Sequence, residues 1–285
     1  MSILLKRNIT LYFRDKINLL LSLLAVIIII VLYVLFLGNV WGDEVIRALP
    51  EADILRYSWL AAGILAVATV TTSMGAFAVI VDDRTKKINK GFYASPIKRI
   101  HITSGYILSA LTVGVIMTVI TAVPLGVYIV AIGGEPLTLI VYVQILGLVV
   151  LSSLSCTAFV CFIVSWLKSN SAFNTVSTIL GTLIGFLMGI YLPIGMLPEA
   201  VQTVIKLFPP SHAAMLLRQA IMEVPMQRSF ENIPIEHLDE FQEMMGIVFR
   251  FGNFTVTPFV SISVLMGSAL LFYGLSLLNM RKMGG

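Results

Sequence analysis

The chain has 285 residues, 58% of them hydrophobic and 12% charged, with a mean hydropathy of +0.96. A soluble domain carries about 25% charged residues, so this chain has too little polar surface for a water-facing globule, and lipid must cover part of it. Two Cys, 21 Gly and 11 Pro also exclude a disulfide scaffold, a collagen-like chain and a disordered one.

Residues 1–16 set Leu4, Leu5, Ile9, Tyr12 and Phe13 among Lys6, Arg7, Arg14 and Lys16. This near-helical spacing predicts a short amphipathic interfacial helix; the alternative is a basic leader that only fixes topology. A bilayer core of about 30 Å needs about 20 consecutive apolar helical residues. Six stretches of that kind follow, at 17–40, 57–81, 102–132, 138–167, 170–197 and 257–280. The apolar run of the first is too long for a signal peptide and no small-residue cleavage site follows it, so it reads as a retained anchor.

The loop at 82–101 begins Asp82-Asp83-Arg84-Thr85-Lys86-Lys87 and carries Pro96-Ile97-Lys98-Arg99 near its end. Within it, Ile88, Phe92 and Tyr93 would form one apolar face of a short helix, and Pro96 suits the first turn of the next. Topogenic charge needs no such face, so this loop is expected to dock a cytoplasmic protein. Residues 199–256 form the longest segment outside the simple spans. Phe208-Pro209-Pro210 splits its first part into two apolar pieces, Ala200 to Leu207 and Ala213 to Met222, each about half a crossing long. They are expected to be re-entrant helices, their freed backbone groups satisfied by protein or water. Ile235, Leu238, Phe241, Met245, Val248 and Phe249 then alternate with Glu236, Asp239, Glu240 and Glu243, which predicts an outer amphipathic helix.

The expected fold is therefore all-α and membrane-integral, one transmembrane domain over 1–285. It has six transmembrane helices, an interfacial N-terminal helix, a cytoplasmic helix in the 82–101 loop and a re-entrant pair before the last span. With the N-terminus inside, thirteen of the 19 basic residues lie on the cytoplasmic side with three acidic ones, and six basic residues lie outside with twelve acidic ones. The net +4 thus divides into +10 inside and −6 outside, a positive-inside bias that places both termini in the cytoplasm.

The chain has no G-x-x-x-x-G-K-[ST] phosphate loop, and neither G-x-G-x-x-G nor H-E-x-x-H occurs. The three His are scattered, and Cys156 and Cys161 fall on different faces of one helix, so no catalytic, cofactor or metal site is expected here. The spans carry no ionisable residue in their interiors, which argues against a proton-coupled carrier. Any path is expected to be lined by apolar and weakly polar groups, with Thr71, Met74 and Phe77 of the second span and Asn174 and Thr178 of the fifth as candidates. Ser177, Gly181, Gly185 and Gly189 recur every four residues, a ridge that permits close helix approach. It marks either a seam between two copies or an internal contact, and the re-entrant hairpin that follows the same helix favours the seam.

Three groups of residues, in this order among six spans, resemble the ABC-2 family of transporter permeases, in the branch that includes drug-resistance and antimicrobial-peptide exporters. They are Arg7-Asn8 with Tyr12-Phe13-Arg14-Asp15-Lys16; Ala94-Ser95-Pro96-Ile97-Lys98-Arg99 with Gly105; and Met196-Leu197-Pro198-Glu199 with Phe208-Pro209-Pro210-Ser211-His212 and Leu217-Arg218-Gln219-Ala220. The resemblance implies a permease subunit that moves an amphipathic or lipid-like substrate (drug, antimicrobial peptide or lipid) out across the cell membrane. It would pair with a second copy or a paralogue and with two copies of a separate ATPase subunit, which would hold ATP and magnesium; no nucleic acid is implied. Asp82, Asp83, Arg84, Phe92, Tyr93, Pro96, Lys98 and Arg99 would belong to the ATPase-coupling segment, residues 1–16 to a connecting helix, and Phe208, Pro209, Pro210 and Arg218 to an outer gate. The residues alone leave open an ATP-independent carrier or a sensor subunit of a membrane signalling complex, with a membrane enzyme as a third reading.

Overall fold

The computed structural model describes residues 2–35, 49–93, 99–231 and 233–282. Its first helix, α1 (Ser2–Arg14), buries Leu4, Asn8 and Tyr12, one residue per turn on a single face, and leaves Ile3 and Leu11 exposed. Asp15 then accepts a hydrogen bond from the Asn18 backbone N–H at 3.0 Å and so caps α2 (Lys16–Ser22). A 46° bend at Leu23 separates α2 from α3 (Leu24–Leu35). The stretch expected as one straight span is thus broken, and its residues 36–40 lie outside the described residues.

The central element is α4 (Ala52–Thr85), 34 residues long and therefore about 51 Å at 1.5 Å per residue. It packs against α1, α2 and α3 and against every other long helix except the last. That position explains a sequence apolar on all sides, since a helix surrounded by protein has no solvent face to make polar. Lys87, at φ 60, turns the chain into the short helix α5 (Ile88–Tyr93). Next come α6 (Arg99–Ala131) and α7 (Leu139–Trp166), whose start is capped by Thr138. The last helix, α12 (Pro258–Lys282), packs chiefly along α7.

The region expected as the fifth span differs. Helix α8 (Asn170–Leu187) has 18 residues, about 27 Å, and stops short because Gly189 takes φ +59 and the chain then turns through Pro193. The segments expected to be re-entrant are α9 (Glu199–Leu207) and α10 (Pro209–Ser229), which meet at Phe208. Helix α10 runs well past Met222, and most of it is buried against α4, α7 and α12. Its start lies inside the bundle, where Phe208 meets Phe159 of α7 edge-on at 5.4 Å. Its far end reaches the bundle surface, where Ser229 donates to the Pro50 carbonyl and Arg228 bridges Glu51 and Glu135. Helix α11 (Ile235–Met244) ends at Gly246, φ +64, so Val248 and Phe249 leave the predicted amphipathic helix and enter a turn before the hairpin β1 (Arg250–Phe251) and β2 (Phe254–Thr255).

The bundle has two distinct ends. One gathers α1, α5 and the last turn of α4, with Arg7, Arg84, Lys86 and Lys87, and is called the basic end below. The opposite, acidic end carries Glu51, Asp53, Glu135, Glu240 and Glu243. Between them α6, α7 and α12 expose large aliphatic side chains, among them Ile120, Val127, Ile140, Val143, Leu270 and Leu271. In water so wide an apolar belt would drive aggregation. Among the described residues, four helices (α4, α6, α7 and α12) are long and apolar enough to cross a membrane, and the bent α2–α3 pair makes a fifth candidate. The chain is a multi-pass membrane protein.

Candidate functional site

Two polar clusters stand at opposite ends of α4. At the basic end, the last turn of the helix carries three charged residues in succession, each about 100° further round the axis, so each meets a different neighbour. Asp82 accepts from Asn170 of α8 at 2.8 Å and from Lys86 at 3.0 Å. Asp83 faces α1 and α6; Arg7 donates to it through both Nη atoms, at 2.7 and 2.8 Å, and the Tyr106 hydroxyl donates at 2.5 Å. Arg84 donates to the Val164 and Leu167 carbonyls at 3.2 and 3.3 Å, satisfying orphan groups at the end of α7.

The two-pronged Arg7–Asp83 pair, with Tyr106 as a third donor, fixes α1 on the bundle. Asp83 is almost wholly buried (4% exposed) and Arg7 only partly so (29%). The carboxylate holds the Arg7 guanidinium above its ordinary pKa, chiefly by direct hydrogen bonding. One residue on, Asn8 donates to Ser109 of α6 at 3.3 Å. The other side of the Arg7 guanidinium lies 5.4 Å from the Phe92 ring of α5. Arg7 therefore touches α4 and the short helix α5 at once.

At the acidic end the central group is Arg218 of α10, fully buried. Its Nη2 donates to the Met188 and Gly189 carbonyls at 2.9 and 2.8 Å, and its Nη1 to the Gly246 carbonyl at 3.3 Å. The guanidinium sits 4.8 Å from the Trp59 ring of α4, and the Trp59 indole N–H donates to the Met245 carbonyl at 2.8 Å. A buried cation is thus balanced by the negative end of α8, by a turn carbonyl and by an aromatic face. Gly189 and Gly246 both need positive φ, and a Cβ on Gly246 would crowd Arg218 at 3.1 Å. At the α9–α10 corner, the Ser211 hydroxyl lies within hydrogen-bond reach of the Ile205 and Phe208 carbonyls. His212 Nε2 donates to the Lys206 carbonyl, so its Nδ1 accepts from the Ser261 hydroxyl at 2.9 Å.

Of the residues expected to couple to an ATPase, Asp82, Asp83, Arg84 and Phe92 come together at the basic end. Tyr93 closes α5 and Arg99 opens α6, their side chains not being among those described; Pro96 and Lys98 lie outside the described residues. The expected path residues are divided. Met74 and Phe77 are buried within this chain, and the half-buried Thr71 folds back on the Val67 carbonyl, whereas Asn174 and Thr178 are exposed on α8. A surface between two chains can therefore use the α8 pair, while Met74 and Phe77 serve internal packing. The small-residue ridge divides as well. A Cβ on Gly185 would overlap the Tyr191 ring and Gly189 makes the turn, so these two have internal roles; Ser177 is half-buried, and Gly181 faces open space. Phe208, Pro209, Pro210 and Arg218 all belong to the α9–α10 hairpin. Sequence reasoning missed Arg7, Tyr106, Trp59 and Asn170 as partners. The only available signals were Asp83 as an acid in a basic loop and Arg218 as a lone cation in an apolar segment.

Fold and clusters together define a polytopic α-helical membrane protein with a polar hub at one end and a broken helical hairpin held by a buried arginine at the other. The family model described as ABC-2 family transporter protein matches residues 44–278, more than four-fifths of the chain, and the protein belongs to that family. No curated protein matches it significantly. Members of this family are normally non-enzymatic transport subunits that usually work with a separate ATPase.

Proposed function

We propose that this chain is the permease subunit of an ATP-driven exporter that moves an amphipathic or lipid-like substrate across the cell membrane. It spans the bilayer six times with both termini in the cytoplasm; α2–α3 and α8 supply the first and fifth crossings beside the four long helices. The basic end faces the cytoplasm and the acidic end faces out, in keeping with the division of charge. Two ATPase subunits, binding ATP and magnesium, dock on α5 and the 94–99 segment, and a second permease copy or a paralogue pairs along the exposed face of α8.

The observation that carries this reading is the continuity of α4. The helix is unbroken and contains no proline between Asp83 and Trp59, which lie about 36 Å apart along its axis. A push on α5 reaches Arg7 through Phe92 and reaches α4 through Asp83. About two turns inside its other end the same rod carries Trp59, which covers the arginine that ties α10 to the end of α8. ATP-driven closure of the ATPases would thus bias two packings of the helices and open the outer hairpin in turn.

The test is charge reversal of Lys98→Glu with Arg99→Glu, followed by co-purification with a co-expressed ABC ATPase subunit that the wild-type chain retains. Loss of the ATPase is expected. Undiminished co-purification and transport would remove the docking role and favour an ATP-independent carrier or sensor. Orientation is read by labelling single cysteines at Lys87→Cys and Glu240→Cys, which should react from opposite sides.

A further inference from the structure

A cavity of about 850 Å³ opens at the acidic end between α7, α10, α11 and the start of α12. It is separate from the Arg218 cluster and contains none of the residues expected to form the substrate path. Its lining is unusual for a surface next to an apolar belt. Gln144, Gln219, Gln227 and Gln242 line it together with one carboxylate, Glu223, while Leu148, Leu151 and Ile262 supply an apolar wall. Among the described residues, no lysine or arginine belongs to the lining. The two nearest basic side chains in sequence are both engaged elsewhere, Arg218 by the Met188, Gly189 and Gly246 carbonyls and Arg228 by Glu51 and Glu135. Glu223, Gln227 and Gln144 are exposed. Gln219 spends one amide hydrogen on the Ile247 carbonyl and keeps its oxygen as an acceptor.

A side-chain carboxylate with no cation opposite it, ringed by amide acceptors and backed by aliphatic wall, is complementary to one ligand chemistry. That ligand carries an ammonium group to pair with Glu223, further N–H donors for the glutamines, and an apolar body for the wall. An anionic or wholly apolar ligand would leave the carboxylate repelled or desolvated without compensation. Gly147 lines the groove, and a Cβ there would meet nothing within 4 Å, so a side chain added at this position enters open space. We propose that this groove binds a cationic amphiphile through an ammonium group on Glu223. Binding needs neither ATP nor a partner chain; only the identification of the ligand as cargo captured on the outer side rests on the exporter reading.

Such an ammonium can come from a soluble cationic peptide or from an ethanolamine lipid headgroup, and the experiment separates the two. The full chain is placed in phosphatidylcholine nanodiscs and titrated with a fluorescent amphipathic peptide of leucine and lysine, alone and after adding phosphatidylethanolamine to the discs. Saturable binding is expected, at least tenfold weaker in Glu223→Gln and in Gly147→Leu, which narrows the groove without touching the charge, and unchanged in Glu236→Gln on α11. Competition by phosphatidylethanolamine identifies the lipid as the resident ligand; its absence identifies the peptide class. Equal affinity in wild type, Glu223→Gln and Gly147→Leu, with matched thermal midpoints, overturns the proposal, as does equal binding of a leucine–glutamate peptide. Because only the permease is present, these outcomes stand apart from the ATPase co-purification that tests the exporter reading.

Discussion

The Arg7–Asp83 pair illustrates how unequal burial makes two halves of one interaction unequal under mutation. Asp83 is enclosed, so removing Arg7 leaves a carboxylate with Tyr106 as its one remaining side-chain donor among the described residues; breaking a buried pair from one side costs about 3–5 kcal/mol. Arg7 is partly exposed, so when Asp83 is neutralised it can turn to water. Asp83→Asn also keeps an acceptor for both former donors and should cost about 1–2 kcal/mol, the scale of an ordinary side-chain hydrogen bond. Arg7→Ala is therefore expected to lower the thermal midpoint in detergent clearly more than Asp83→Asn; the reverse order would mean that the pair is not what holds α1. Arg218 is the other decisive residue. Arg218→Lys keeps the charge but loses the planar fork that reaches Met188, Gly189 and Gly246 together and the flat face against Trp59. It should destabilise by about 2–3 kcal/mol because buried carbonyls lose their donor. A Lys variant as stable as wild type would show that charge alone suffices at this site.

At the scale of elements, periodicity located helices well and their ends poorly. The long apolar runs became α4, α6, α7 and α12 because burial or lipid satisfies any helix of that length. The end of α8 was hidden because the residues to Pro198 remain apolar while the backbone leaves the helix at Gly189. Its positive φ is permitted by glycine and pinned by Arg218, 29 residues later. The ridge of small residues was legible as a pattern, but its purpose depends on Tyr191 folding back onto Gly185, a contact no spacing rule contains. Partners across the hub were hidden for the same reason: Arg7 and Asp83 lie 76 residues apart. The divided ridge yields a contrast between two substitutions on one helix face. Gly185→Ala collides with Tyr191 and should cost about 1–3 kcal/mol, as overpacking does, whatever the assembly state. A Cβ on Gly181 meets nothing within 4 Å, so Gly181→Trp should leave the thermal midpoint near wild type and, where α8 forms the seam of a two-copy assembly, shift that assembly towards monomer in light scattering. If the dimer persists, the seam lies elsewhere than on this part of α8.

For the whole molecule the informative fact is that both polar clusters are mounted on one buried helix whose interior, over residues 57–81, carries no charged residue. A charge is expensive at mid-membrane, and the charged contacts fall at the two ends with a long uncharged helix between them. Hydroxyl contacts along the rod, Thr69 to Cys156 and Ser73 to Thr157, keep α4 and α7 in register without charge. If α4 relays motion, damage at its two ends must fail differently. Trp59→Leu removes the aromatic cover of Arg218 and the hydrogen bond to Met245 but leaves the hub intact. The complex with the ATPase should then assemble and hydrolyse ATP at close to the normal rate, while transport falls at least tenfold. Arg7→Ala frees α1 from the hub and should reduce both stimulated hydrolysis and transport together. The measurement is ATP hydrolysis and substrate movement on the same reconstituted vesicles. Proportional loss of both activities in Trp59→Leu would mean that the acidic end acts only through stability, and that α4 is scaffold rather than relay.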